Sequence, residues 1–162
     1  MPVISVGVGD VAVSADGRGE IVTHALGSCL GITIWDPIVK VGGLLHAMLP
    51  NSAVDKAKAD ENPFIFVDTG VPRLFKKAYA LGADKKRIEL KVAGGASLRA
   101  NKSQDDLFKI GKRNAVVLKK LLWKNGILIA SEDVGGEVSR TMKLDLSTGK
   151  VSLVVLGRER EL

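Results

Sequence analysis

The chain has 162 residues, 46% apolar and 26% charged, with 24 Lys and Arg against 18 Asp and Glu for a net charge of +6. A chain of this length and composition buries a core without disulfides or metals, so one globular domain over 1–162 is expected, and disorder and a membrane span are excluded as classes. The first ten residues lack a basic start followed by an apolar block, so a cytoplasmic protein is expected, and the single cysteine, Cys29, is expected as a free thiol in a reducing compartment.

In chain order, Val3 to Val8, Ile21 to His24, Gly31 to Trp35 and Lys40 to Met48 are rich in β-branched residues between turn signals, which predicts strands. Asn51 to Asn62 is polar and aperiodic, so an exposed loop is expected. A first helix follows: Asp68 or Thr69 can cap it, Pro72 is tolerable within its first turn, and Val71, Leu74, Phe75 and Ala78 recur at helical spacing before Gly82. Arg87 to Val92 predicts another strand. The second helix runs from Asp105 to Lys124 and stops at Asn125-Gly126, with Leu107, Ile110, Val117, Leu118, Leu121 and Leu122 along one side. Strands at Ile127 to Ser131, Val138 to Leu146 and Val151 to Leu156 complete the pattern, the last two joined by a turn at Ser147-Thr148-Gly149. Tight turns between neighbouring strands imply antiparallel pairing, so the expected fold class is α/β: a layered sandwich of mostly antiparallel strands with two main helices.

The positive charge suits an acidic partner surface, and with aromatic residues at only 4% there are few stacking platforms for nucleic acid, so an acidic protein is the preferred partner. On the second helix, Lys109, Lys112, Arg113, Lys120 and Lys124 fall opposite the apolar stripe. Such a face is ordinarily just solvated; docking on an acidic surface is the functional alternative.

Reactive residue types concentrate between Thr23 and Pro50. Leu26-Gly27-Ser28-Cys29-Leu30-Gly31 sets the cysteine between two glycines at a strand end, where the sulfur can point outward and backbone N–H groups of Cys29 and a neighbour can face an oxyanion. A helical turn starting at Cys29 would also favour thiolate and fast alkylation. His46, in a strand whose Leu44, His46 and Met48 share a face, is the natural base. Of the adjacent Thr23 and His24, which point to opposite faces of an extended strand, Thr23 is chosen to orient the imidazole. Residue statistics alone favour a buried structural cysteine and a hydrogen-bonded core histidine. One cysteine and two histidines fall short of a zinc set, and neither metal nor cofactor is required. Gly94-Gly95 is expected as a turn after a strand, with a place beside the pocket as the alternative.

These residues carry a family resemblance. Thr23, Leu26-Gly27-Ser28-Cys29, Trp35-Asp36-Pro37, Gly42-Gly43 and His46-Ala47-Met48-Leu49-Pro50 are similar to CheD, the chemoreceptor glutamine deamidase family. So are Lys91-Val92-Ala93-Gly94-Gly95-Ala96, Ile110-Gly111-Lys112-Arg113-Asn114, Asp133-Val134-Gly135-Gly136 and Thr148-Gly149, so the resemblance spans nearly the whole chain. It implies hydrolysis of glutamine side chains in the cytoplasmic domain of methyl-accepting chemoreceptors, extending to glutamyl methyl esters in related members. Cys29 is then the nucleophile, His46 the acid and base, and Thr23 the support of His46. The resemblance also implies a CheC-type phosphatase as partner, with no nucleic acid and no direct membrane insertion. The chain departs from the family pattern at His24-Ala25, where an apolar residue and glycine are expected, and at Leu44-Leu45. Two other classes use the same residues: a cysteine peptidase or acyltransferase, and a non-catalytic chemotaxis adaptor in which Cys29 is structural.

Overall fold

The fold is that of a computed structural model, which describes residues 2–98 and 105–162, with the backbone alone for 105–108. Ten strands form two five-stranded sheets. The first sheet holds β1 (Val3–Val6), β3 (Glu20–Leu26), β8 (Arg140–Asp145), β9 (Val151–Val155) and β10 (Arg158–Glu161), in the order β1-β3-β8-β9-β10. The second holds β2 (Val11–Ser14), β4 (Leu30–Asp36), β5 (Val41–Ala47), β6 (Glu89–Gly94) and β7 (Ile129–Val134), in the order β2-β5-β4-β6-β7. Pairing is antiparallel except for β1 with β3 and β6 with β7. The sheets face each other across Ile21, Leu26, Leu44, Met142, Leu144 and Leu153. Two long helices, α2 (Val67–Ala80) and α3 (Asp105–Lys124), cover the far side of the second sheet, where Val71, Leu74, Leu118 and Leu122 pack on Ile32, Ile34, Leu45 and Val92.

This layering follows from side-chain alternation. Along β8, Arg140, Met142 and Leu144 are buried while Thr141, Lys143 and Asp145 are not, the pattern of a sheet with one solvated face. By contrast, β4 and β5 are buried at every position because they lie between a sheet and a helix layer. Within β5, a Cβ on Gly42 would come within 2.8 Å of Leu146, and one on Gly43 within 3.0 Å of Leu74, so these two positions let both layers close on the strand. Trp35 packs where a side chain on Gly149 would stand, which accounts for glycine in the β8–β9 turn. Asp36 ends β4 by accepting the amides of Ile38 and Asp84 and an ion pair from Arg87 at 2.9 Å. Burial disfavours the Asp36 carboxylate, but the Arg87 bond and the amides outweigh it and lower its pKa.

Several expectations change. Asn51 to Asn62 is not a loop: it forms a 3₁₀ turn (Ser52–Val54) and a short helix, α1 (Lys56–Glu61), capped by Asp55 and burying only Ala59. One buried residue leaves no apolar period to detect. Neither Asp68 nor Thr69 caps α2, which starts after Phe66; Asp68 instead accepts from the amide and hydroxyl of Ser52, and Thr69 donates to the Pro63 carbonyl. Pro72 sits inside that helix, past its first turn. Strands β2 and β10 were not expected from their short or fully charged sequences. Leu107, placed on the apolar stripe of α3 by spacing, falls outside the described side chains.

Candidate active site

The site lies between the sheets, on β3 of one and on β5 and the start of β4 of the other, all interior strands. Val6 of β1 pairs in register with Thr23 of β3, and Thr23, two residues on from the inter-sheet core residue Ile21, is buried on the same face. Across the space between the sheets, His46 of β5 shares a face with Leu44, which packs in the same inter-sheet core. Thr23 is completely buried and His46 very nearly so, and Thr23 Oγ1 lies 2.7 Å from His46 Nδ1. Thr23 Oγ1 also lies 2.7 Å from the Val6 carbonyl oxygen. A hydroxyl owns one hydrogen, and a carbonyl can only accept, so that hydrogen goes to Val6. The bond to His46 must then run the other way, from Nδ1–H to Oγ1. The imidazole is thereby held as the Nδ1–H tautomer, and its Nε2 keeps a free lone pair; Nε2 is buried and meets no protein partner among the described residues.

Cys29 precedes β4. Gly31 pairs with His46 and Leu30 with Ala47, so Cys29 stands just beyond the end of the ladder that carries His46, and it packs against the inter-sheet core. At Gly31 itself there is no room for a side chain: a Cβ would come within 2.7 Å of Met142 Sδ and 2.8 Å of Leu26. The thiol is free and partly exposed. Burial pushes its pKa up, with its own backbone N–H pulling against that, and burial pushes the His46 pKa down. Both shifts disfavour charge, so the resting pair at neutral pH is thiol and imidazole. The helical turn considered at Cys29 does not form, because the chain runs directly into β4 at Leu30.

The segment leading to Cys29 is irregular. The β3–β8 register shifts between Thr23 and Leu26, Ala25 adopts a left-handed φ of 58°, and the Gly27 amide turns back onto the Ala25 carbonyl. A left-handed alanine costs roughly 1 kcal/mol, a strain that glycine would avoid. His24 points away from the inter-sheet space, exposed, with Nδ1 3.3 Å from Thr141 Oγ1. Gly94 and Gly95, both at positive φ, end β6 as a turn and also border the site: the Gly95 amide donates to the Cys29 carbonyl, and a side chain on Gly94 would collide with it. Met48 does not extend the His46 face; it leaves β5 and bonds to Ile65. Among the described residues no three acidic, histidine or cysteine side chains cluster as metal ligands.

Two groups had no role in the sequence reading, although Asn114 stands in one of its motifs. Asn114 is a buried amide on the apolar side of α3 that bonds to backbone beside Cys29 and beyond His46. Arg140, also buried, reaches from β8 to Asp133 and to the Gly94 and Gly135 carbonyls, closing that end of the sandwich. A polar residue amid Ile110, Leu118 and Leu121 was the available signal for the first; Arg140 gave none. The basic residues of α3 are exposed as expected, and Lys112 lines a cleft of about 420 Å³ with Gly95, Ser97 and Gly136.

Fold and site define a class: an α/β sandwich with a free thiol at a strand mouth and a buried imidazole–hydroxyl pair between the sheets. Residues 48–154 match the family described as CheD chemotactic sensory transduction. Over all of this chain and 94% of the relative, it is 44% identical to a probable chemoreceptor glutamine deamidase CheD of Solibacter usitatus. It is 48% identical to CheD 1 of Syntrophus aciditrophicus over 91% of each chain, and 50% identical to CheD of Pyrococcus abyssi over 93% of this chain and 90% of that one, both named probable chemoreceptor glutamine deamidases. The chain belongs to the CheD family.

Proposed function

We propose that the chain, acting as one unit over 1–162, hydrolyses glutamine side chains of a chemoreceptor to glutamate, with Cys29, His46 and Thr23 as its working residues. The relatives' names supply the substrate class. The observation that carries the chemistry is the Thr23 hydroxyl, which donates to Val6 and so leaves His46 Nε2, buried and without a protein partner among the described residues, available as a base.

As the Cys29 sulfur attacks the amide carbon, its proton passes to Nε2, which avoids a standing thiolate. The backbone amide of Cys29 and that of a neighbour are the proposed donors for the oxyanion; the Gly27 amide is already engaged with the Ala25 carbonyl. The imidazolium returns the proton to the leaving nitrogen, ammonia departs, and a thioester remains. Water, losing a proton to Nε2, then cleaves the thioester to glutamate and regenerates the thiol. A glutamyl methyl ester follows the same course with methanol leaving. A CheC-type phosphatase is the second proposed partner, and the lysine-bearing face of α3 is the surface offered to acidic proteins.

The test is peptide mapping of a cognate receptor's cytoplasmic domain, with ammonia detection, after incubation with wild type and with Cys29→Ala. Conversion of selected glutamines by wild type alone, with an intact backbone, is expected. Backbone cleavage would indicate a peptidase. Binding without turnover by either protein would indicate an adaptor.

A further inference from the structure

Asn114 has no exposed surface, and its Nδ2 donates to the Ser28 carbonyl at 2.9 Å and to the Met48 carbonyl at 3.0 Å. Ser28 adjoins the nucleophile, and Met48 lies two residues beyond the base. Both hydrogens of one planar amide are therefore spent on the two separate segments that carry the reacting pair. A buried amide among apolar helix neighbours costs desolvation, and its Oδ1 meets no protein donor among the described residues. What offsets that cost is the work of the two donors.

The helix backbone is brought close enough for this reach by Gly111, one turn earlier. A Cβ there would come within 2.6 Å of the Ala96 carbonyl oxygen and 2.8 Å of that of Gly95. That segment is in turn bonded to the cysteine turn, through Gly95 N to Cys29 O at 2.9 Å and Ala96 N to Gly27 O at 2.8 Å. Helix α3 thus holds the Cys29 turn by a direct bond and by an indirect one, and the Asn114 amide also bonds to Met48, one residue past the end of the His46 strand.

We infer that Asn114 is a positioning residue: by clamping Ser28 to Met48 it sets where the Cys29 sulfur stands relative to His46 Nε2. This rests on the proposed deamidase chemistry, in which the two atoms must exchange a proton. Misplacement of a reacting group by about 1 Å costs on the order of 100-fold in rate.

The experiment compares Asn114→Ala and the isosteric Asn114→Asp, which keeps size and loses both donors, with wild type by steady-state kinetics on the receptor domain. Folding is checked by circular dichroism. A kcat lowered about 10- to 100-fold with KM within about twofold is expected, and the loss should vanish when His46→Ala is already present, because the clamp then has no pair to align. The pH profile of Cys29 alkylation, which needs no receptor, should change with Asn114→Ala as it does with His46→Ala, and no further in the double variant. Unaltered kcat in folded Asn114 variants, or a penalty that persists undiminished beside His46→Ala, overturns the inference. If wild type itself fails to deamidate, the deamidase proposal falls while the alkylation comparison still decides for or against the clamp. Should neither variant fold, amide exchange in wild type decides it: both Asn114 Nδ2 protons are expected to exchange as slowly as core amides, and rapid exchange of either contradicts the clamp.

Discussion

The two halves of the site are built to different standards. The His46 side is regular: β1 pairs in register with β3, β4 pairs in register with β5, the threonine is fully buried, and two 2.7 Å hydrogen bonds run from imidazole to hydroxyl to the Val6 carbonyl. The Cys29 side is irregular, with a register shift, a left-handed alanine, and a partly exposed thiol on a turn whose Cys29 and Ser28 carbonyls accept from Gly95 and Asn114. The difference teaches where the chemistry stores its precision. Proton transfer needs one tautomer at one position, which a rigid core supplies before substrate arrives. The nucleophile needs access, so it stands on a turn at the sheet's mouth, where regular pairing ends.

The comparison breaks most sharply at the regular half. His46→Ala should lower kcat about 1,000-fold in the receptor assay, since both thioester formation and its hydrolysis need the base. Thr23→Val should cost about 10- to 100-fold: it strands the Val6 carbonyl and the Nδ1–H, and lets the imidazole flip to the unproductive tautomer. Thr23→Ser, which keeps the hydroxyl, should restore most of the rate. His24→Ala, altering an exposed ring on the opposite strand face, should leave kcat within about twofold of wild type. Equal losses for Thr23→Val and His24→Ala would remove the distinction between the two faces of β3.

A smaller effect separates the halves by pH. Activity needs neutral His46, whose pKa burial holds below 6.5, so kcat/KM should rise with pH through a midpoint under 6.5 and stay level above it. The sign is the same for stability: the unfolded histidine binds protons more readily than the folded one, so stability is lost as pH falls below 6.5 through the folded value. Iodoacetamide alkylation of Cys29, by contrast, should show a midpoint more alkaline than an ordinary thiol, because burial raises it. A thiolate titrating below neutrality would contradict the uncharged resting pair.

The smallest effect belongs to the irregular half. Ala25→Gly should raise stability by about 0.5 kcal/mol in chemical denaturation, since relief of left-handed strain exceeds the added freedom of the unfolded chain. A loss of stability would mean that the strain at Ala25 is compensated by its contacts.

What the sequence disclosed divides along the same line. Runs of β-branched residues between turn signals were enough for β3, β4, β5, β8 and β9, and helical period was enough for α2 and α3, because each buries apolar side chains. Thr23 and His46 followed from strand parity. Strand β10, Arg158 to Glu161, has no apolar face and forms by pairing with β9, so nothing local announced it. Helix α1 buries a single alanine and was equally silent. The left-handed Ala25 and the missing helix at Cys29 are decided by how β3 and β4 meet their partners, which is long-range information. Asn114 was visible as a polar residue on an apolar stripe, but its two acceptors lie 86 and 66 residues away in sequence.

Everything in the contrast turns on the protonation of one imidazole, and nitrogen-15 NMR of His46 in the resting protein at pH 7 reads it directly. The account predicts a neutral ring with the hydrogen on Nδ1 and a bare Nε2, unchanged by Cys29→Ala and lost as a single tautomer in Thr23→Val. A hydrogen on Nε2, or an imidazolium that disappears when Cys29 is removed, would contradict it.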